Sequence, residues 1–208
     1  SDPGRTRHER DRAAKWGTSK GAPKRRAANE VHRIEAEDLV PATAMRILRS
    51  SSQNESNGKL AANAVDGDPR TLWHSRFSVD RASHPHALVL DLGASYVVRG
   101  FRYLARQDAG WNGAFARTEF FVSDDPDAFG ATPHATVMFT KKRTPQAVDL
   151  EAPTTGRYVL VRALSEVNGG AWGSAAELGV IGTRRLSTSE SELDPDVRTV
   201  LERDVDLV

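Results

Sequence analysis

The chain has 208 residues, is 38% hydrophobic and carries a formal net charge of +1, which suits one well-cored domain with polar tails or two very small domains. It contains no cysteine, and this excludes a disulfide framework, a thiol nucleophile and a cysteine-ligated zinc site. No apolar run approaches the roughly 20 residues that cross a bilayer.

The first ten residues, SDPGRTRHER, lack the apolar stretch of a signal peptide, so an export signal would lie outside this sequence. Residues 1–33 hold ten Lys/Arg against four acids. A basic arm of this kind is able to meet nucleic acid or another acidic surface. Neither aromatic interleaving nor a helix-turn-helix pattern accompanies the charge, so the arm reads as a solvated linker and no nucleic-acid partner is expected. Residues 1–40 are taken as this basic linker and lead-in, with 26–40 forming a short helix or a lead-in strand ahead of Pro41.

From residue 45 onward the pattern changes. Short runs rich in Val, Leu, Ile, Phe and Tyr follow one another: 45–50, 87–92, 96–106, 118–123, 135–140, 146–150, 157–164 and 177–182. Turn chemistry separates them, as in DLGAS, DDPDAFG, EAPTTG and EVNGG. In 157–164, Val159, Val161 and Ala163 alternate with Tyr158, Leu160, Arg162 and Leu164. No long stretch of helical period interrupts these runs, and many short strands at this spacing predict an all-β antiparallel sandwich. The acidic tail holds seven acids from Leu186 to the end against Arg198 and Arg203. There, Asp194 as N-cap and Pro195 at the first position suggest a short helix over 194–208.

Signs of catalysis are few. There is no G-x-S-x-G elbow, and GTSKGAPK (17–24) lacks the spacing that cradles a phosphate. Glu35, Glu37 and Asp38 read as a solvated face rather than paired catalytic carboxylates. His84 and His86 lack a third ligand at a recognisable spacing, and they read as surface or core residues.

The most informative stretch is NAVDGDPRTLWHSRF, residues 63–77. Asp66-Gly67-Asp68-Pro69 is good turn chemistry in its own right, with a glycine free to take positive φ and aspartates placed to cap backbone N–H groups. The same loop also offers two carboxylates and a hydroxyl to a hard cation such as calcium, although it lacks the spacing of an EF-hand.

This stretch, followed in order by HPHALVLDLG, GFRYLARQD, TEFFVSDDP, RYVLVRALSEVNG and SAAELGV, resembles the F5/8 type C (discoidin-like) family. In particular it is similar to its carbohydrate-binding members, carbohydrate-binding module family 32. The resemblance runs from about Met45 to Gly182 and implies a jelly-roll β-sandwich over 41–183, flanked by irregular or short helical tails, with 184–208 as an acidic linker or the start of a following segment.

The resemblance further implies a structural Ca²⁺ held by Asp66, Asp68 and Thr71, with Asn63 adding a carbonyl and Ala176 and Glu177 closing the cage from the last strand. It implies a sugar site at one end of the sandwich. His74 and Phe77 follow Trp73, which is assigned to the core. Arg106 and Asn112 complete the polar set, and Trp172 supplies a further aromatic. Phe77 stands where some members carry tryptophan, and Asn112 where some carry glutamate. Trp111 is read as a loop residue, and an ion pair between Arg106 and Asp108 is an alternative use of that arginine.

The expected function is that of a non-catalytic module recognising galactose- or N-acetylgalactosamine-containing glycans. It would be a monomeric domain tethering an attached enzyme or surface protein outside the cell, at its surface or in a periplasm. The competing reading is a discoidin-like domain that docks on a protein or a phospholipid membrane. Phe77, Trp111 and Phe115 would then be apolar spikes.

Overall fold

In the computed structural model of the chain, residues 30–77 and 82–186 are described. The basic arm before residue 30, the loop residues 78–81 and the helix expected over 194–208 lie outside them. Eight strands follow in order: β1 (Arg46–Ser50), β2 (Trp73–His74), β3 (His86–Leu104), β4 (Arg117–Ser123), β5 (Ala135–Met138), β6 (Gln146–Ala163), β7 (Ser174–Ala175) and β8 (Glu177–Arg184). Among the described residues the only helical pieces are single 3₁₀ turns at Ala42–Ala44, Glu55–Asn57 and Ala61–Ala64. The predicted all-β class is what the chain adopts.

Two long strands make the sandwich. Where the sequence suggests turns at DLGAS and EAPTTG, β3 and β6 run through and bend instead. On β3, residues 92–95 lie opposite the single residue Arg157, and on β6, residues 150–153 lie opposite the single residue Arg99. Surplus residues of this kind kink a strand without ending it, and Gly93, at φ +77°, supplies the backbone angle that the first kink needs. Below the bend, β3 pairs β1 and the second half of β6, which continues to β4 and β5; above it, β3 pairs β8 and the first half of β6. The halves therefore face each other as two layers of one antiparallel, wrapped sheet.

Aromatic side chains fill the space between the layers. Phe101 of β3 stacks on Phe120 of β4 at 4.5 Å, and Phe139, Tyr103, Phe115 and Trp73 continue the row through ring contacts of 4.7 to 6.3 Å. Trp73, Tyr103, Phe101, Phe115 and Phe120 are all essentially inaccessible to water, and rings that bury this much area dominate the energetics of a core. The row ends at β2, so the residue after Trp73 is carried out of the core at one end of the sandwich.

Ahead of Pro41 residues 30–36 form no regular element, and a turn at 37–38 with Asp38 at φ +54° leads into the sheet edge. Leu39 bridges to Ile181, Val40 N–H donates to Val180 at 2.8 Å, and Val40 is fully buried. Strand-like pairing is confined to 38–40, no helix forms over 30–40, and residues 26–29 lie outside the described residues.

Candidate functional site

The two-residue strands β2 and β7 pair antiparallel, setting Trp73 against Ala175 and His74 against Ser174. Trp73 belongs to the core, with its indole N–H donating to the Ser52 carbonyl at 2.9 Å. His74 is 3% exposed, and its Nδ1 lies 2.7 Å from the Ser75 carbonyl. A ring nitrogen this close to a carbonyl must carry the proton, which leaves Nε2 as an acceptor. Burial, aided by the positive charges of Arg106 and Lys59 and opposed by the Ser75 carbonyl, pushes the imidazole down to about 4. His74 is thus neutral at ordinary pH. Phe77 stands beside it, ring centroids 4.8 Å apart and edge to face, with 38% of the residue exposed.

Arg106, directly after β3, is 7% exposed. Its Nε and one Nη donate to the Asp108 carboxylate at 2.6 and 2.5 Å, and its other Nη donates to the Asn112 carbonyl at 2.9 Å. The ion pair raised as an alternative from the sequence is therefore formed. It occupies one edge of the guanidinium and holds the Asp108 carboxyl below its ordinary value. Of five N–H donors, these bonds leave two.

The loop carrying Asn112 is fixed from below. Ser174 Oγ donates to the Asn112 carbonyl at 3.0 Å, Tyr103 hydroxyl donates to Ser174 O at 3.0 Å, and the same hydroxyl accepts from Phe115 N–H at 2.9 Å. Gly113, at φ +84°, passes so close to β7 that a Cβ there would sit 2.8 Å from Ser174 N. The side chain of Asn112 remains exposed.

His74, Phe77, Arg106 and Asn112 thus come together at the end of the sandwich. Trp172 is half-buried on the next loop, which His86 Nε2 anchors through the Ala171 carbonyl at 2.7 Å and Glu166 caps through Asn168 N–H and Gly170 N–H, both at 2.7 Å. His86 is 1% exposed and packs its ring edge to face on His84 at 4.6 Å. Trp111 is a loop residue packed on the core, its outer ring face covered by the Arg143 guanidinium at 3.9 Å. Phe115 is 1% exposed and stacked on Tyr103. The reading of Phe115 as a membrane spike is corrected: the aromatic row claims it for the core.

One member of this end is not evident from the sequence. Lys59 accepts the His74 N–H through its carbonyl at 3.3 Å and holds its ammonium 5.8 Å from the Phe77 ring centre. Burial first, then the charge of Arg106, lowers its pKa, while Asp108 raises it. Lys59 lies in SNGKLAA, where no motif singles it out, and it is found only through the main-chain contact that sets it beside β2.

A second cluster lies where the 66–71 loop meets β8. Asp66 accepts from Asp68 N–H through Oδ1 and from Thr71 Oγ1 through Oδ2, both at 2.8 Å, and Asp68 Oδ1 accepts from Arg70 N–H at 3.0 Å. Glu177 is 7% exposed, and its Oε1 is buried without a hydrogen-bond partner. Burial, then contact with Asp66 and the charges of Asp66 and Asp68, push its carboxyl up to about 8, against the pull of Gly67 N–H. Asn63 uses its side-chain amide to donate to the Gly58 and Leu72 carbonyls at 2.9 and 3.1 Å, so any part it takes in holding a cation falls to other atoms.

Among the described residues no three His, Asp or Glu side chains form a ready metal-holding group. A cation here would draw on main-chain carbonyls as well. An orphaned buried carboxylate oxygen within an all-oxygen donor set fits a hard cation of the calcium type. A cavity of about 120 Å³ opens beside this corner, its wall largely Ile34, Leu39, Val40, Met45 and Leu178. Arg33, Glu35 and Glu177 also line it, and none of the His74-end residues does.

The family model of the F5/8 type C domain matches residues 48–178. A sialidase of Micromonospora viridifaciens is 35% identical over 125 residues, covering 60% of this chain and 19% of that protein. A galactose oxidase of Gibberella zeae is 31% identical over 132 residues, covering 63% of this chain and 18% of that protein. The chain thus spans about a fifth of the length of the curated relatives it matches. Among solved structures, the Clostridium perfringens module CpGH89CBM32-5, in complex with GalNAc-β-1,3-galactose, superposes with a TM-score of 0.62 at 28% identity, covering 69% of this chain and 99% of that one. The family 32 module of C. perfringens NanJ, in complex with galactose, shares the fold at 23% identity with a TM-score of 0.59, covering 70% of this chain and 98% of that one.

Proposed function

Because the chain belongs to the F5/8 type C domain family, we propose that it is a non-catalytic carbohydrate-binding module that recognises galactose-type glycans through the end of the sandwich built on β2, β7 and the loop after β3. The observation that carries this reading is the contact of half-exposed Phe77 with buried, neutral His74 beside Arg106, whose bonds to Asp108 and Asn112 leave two of its N–H groups. A hexose presents an apolar C–H face and a rim of hydroxyls. Phe77 offers the ring for the face, while Arg106, His74 Nε2 and the Asn112 amide offer donors and acceptors for the rim. Asp108 leaves Arg106 fewer donors than a free guanidinium but fixes their direction, which favours a defined pair of neighbouring hydroxyls such as the axial O4 and equatorial O3 of galactose. A Clostridium perfringens relative at 28% identity, bound to GalNAc-β-1,3-galactose, supports this ligand class.

Within a longer protein such a module concentrates its partner domains at a glycan surface by raising the effective concentration. Glycans of this kind are displayed outside cells, and that is where we place its action. The same reading includes a structural calcium bound by Asp66, Asp68, Thr71 and Glu177 with carbonyls of Asn63 and Ala176. The ion would supply a partner to the unsatisfied Glu177 oxygen and tie the first loop to the last strand.

The test is calorimetric titration with galactose, N-acetylgalactosamine, lactose and glucose in the presence of calcium, carried to about 10 mM because a millimolar Kd corresponds to only about 4 kcal/mol. Saturable heat with the galacto sugars, none with glucose, and its loss in both His74→Ala and Arg106→Ala at unchanged folding are the expected results. Affinity retained in both variants would assign the glycan to another surface.

A further inference from the structure

Among the described residues, positive charge outweighs negative around His74. Two cations, Lys59 and Arg106, lie beside it and share the carboxylate of Asp108. Asp108 is already committed: both its oxygens accept from Arg106, and Oδ1 accepts from Gly110 N–H as well. Arg143 spends its guanidinium on the Gly110 carbonyl at 2.9 Å, on the Arg106 carbonyl and on the Trp111 ring.

Lys59 is different. It makes no ion pair among the described residues and is only partly exposed, and its ammonium lies near the limit of cation–π reach from Phe77, at 5.8 Å. A partly buried ammonium beside the Arg106 cation is an unfavourable arrangement, and burial first, then Arg106, lower the Lys59 pKa. A neutral hexose would leave that imbalance standing, whereas an anionic group would relieve it.

We propose that the preferred ligand is a galacto-configured sugar bearing an acidic group, a sulfate ester or a carboxylate, and that Lys59 is the specificity-determining residue that receives it. The inference rests on the galactoside reading above and adds the charge of the ligand to it. The geometry is simple: the sugar lies on Phe77 with its hydroxyls toward His74 and Arg106, and its acidic substituent points to the Lys59 side of the same ring. A partly desolvated charge-assisted contact is worth more than an exposed surface pair, so preference for the acidic form of the order of fivefold is expected at low salt. It should shrink as salt screens the charge.

The experiment compares methyl β-galactoside, galactose 6-sulfate and methyl galactosiduronate on the whole chain and on Lys59→Gln, with calcium, at low and at near-physiological ionic strength. The expected result is acidic sugars bound about fivefold more tightly than the neutral one, a gap that narrows with salt and closes in Lys59→Gln. A ratio of affinities within one protein does not move when a variant merely loses some folded population. Sulfate preferred over carboxylate, or the reverse, identifies which acidic group the site takes. Galactoside binding without a gap, or a gap that survives Lys59→Gln, overturns this inference and leaves the galactoside reading intact. No binding of any of the three sugars overturns both.

Discussion

Two buried carboxylates, both at strand positions of the one wrapped sheet, are treated in opposite ways. Asp91, on β3, is 1% exposed and receives two arginines, Arg46 from β1 at 2.7 Å and Arg157 from β6 at 2.8 Å, together with Gly93 N–H at 2.9 Å. Its carboxyl is held far below the usual carboxylate range, by Arg157 above all. Glu177, at the start of β8, is 7% exposed, faces Asp66 and Asp68, keeps one oxygen without a partner and is pushed up to about 8. A carboxylate taken out of water must be paired, hydrogen-bonded or protonated. The sheet centre answers that need from within the chain, whereas at the loop corner Arg70 pairs with Asp68 at 3.7 Å and Glu177 Oε1 keeps no hydrogen-bond partner. If the corner takes a cation, as proposed above, its stability is conditional on that ion, whereas that of the sheet centre is intrinsic to the chain.

The largest effect that separates the two is expected from Asp91→Ala, which strands both arginines. Fully buried pairs lose 3–5 kcal/mol when one partner is removed. Here the arginine side chains are 40% and 69% exposed, so hydration takes up part of the loss and about 2–3 kcal/mol is expected in denaturant unfolding, with calcium or without. A loss that depends on calcium would mean that the two corners are not independent.

Calcium should produce the next effect. If the Glu177 corner holds it, free ion at about a hundred times its Kd stabilises the fold by roughly 2.7 kcal/mol, visible as a rise in melting temperature that chelator reverses. Glu177→Gln should abolish this response while making the chelated protein no less stable than the chelated parent, because the substitution removes a carboxyl that the corner does not satisfy. An unchanged melting curve in chelator would refute the cation site.

The same contrast fixes the sign of a pH test. Asp91 binds its proton less readily when folded, so its stabilisation is present above the ordinary carboxylate range and is lost as acid titrates it in the folded state. Glu177, without metal, binds its proton more tightly when folded. Its contribution is intact below about pH 4.5, where the unfolded chain also carries the proton, and is lost as pH rises toward about 8. Stability of the chelated parent should fall from pH 5 to pH 8 relative to chelated Glu177→Gln. Parallel curves for the two proteins would show that the burden on Glu177 is not felt.

How much of this was legible in the sequence follows the physics of each part. Strand character was readable because alternation and β-branched residues are local properties, as in Val159, Val161 and Ala163. The bends at 92–95 and 150–153 were not, because whether such a segment ends a strand or kinks it depends on the partner that runs alongside it. Strand β2 was missed for the same reason: two residues carry no period, and only Ser174 and Ala175, far along the chain, make Trp73 and His74 a strand. The positions of His74, Phe77, Arg106 and Asn112 were read from a family resemblance, and the structure brings them to one end. The partnership of Arg106 with Asp108, two residues away, was local enough to foresee. Lys59 was not, since its place depends on a main-chain hydrogen bond across a loop. The unsatisfied Glu177 oxygen is likewise a fact of three-dimensional burial.

The smallest expected effect concerns His74, a third buried ionisable group and the one nearest the ligand surface. Like Asp91 it is held in the form its surroundings favour, but here that form is the uncharged one: burial and the cations Arg106 and Lys59 lower it to about 4. On this basis the affinity for neutral methyl β-galactoside should be flat from pH 8 to pH 5 and fall only as pH approaches 4, when the imidazole gains the proton that removes its Nε2 acceptor. An exposed histidine, titrating near 6.5, would lose affinity between pH 7 and 6. The lowered value carries a stability cost of the same sign, since the unfolded chain takes up a proton between about 6.5 and 4 that the folded chain refuses, so stability falls with falling pH across that interval. Binding measured at constant folded fraction separates the two. A decline in affinity already complete at pH 6 would show that the His74 ring is in contact with water, and that the Ser75 carbonyl does not hold it in the tautomer that accepts a sugar hydroxyl.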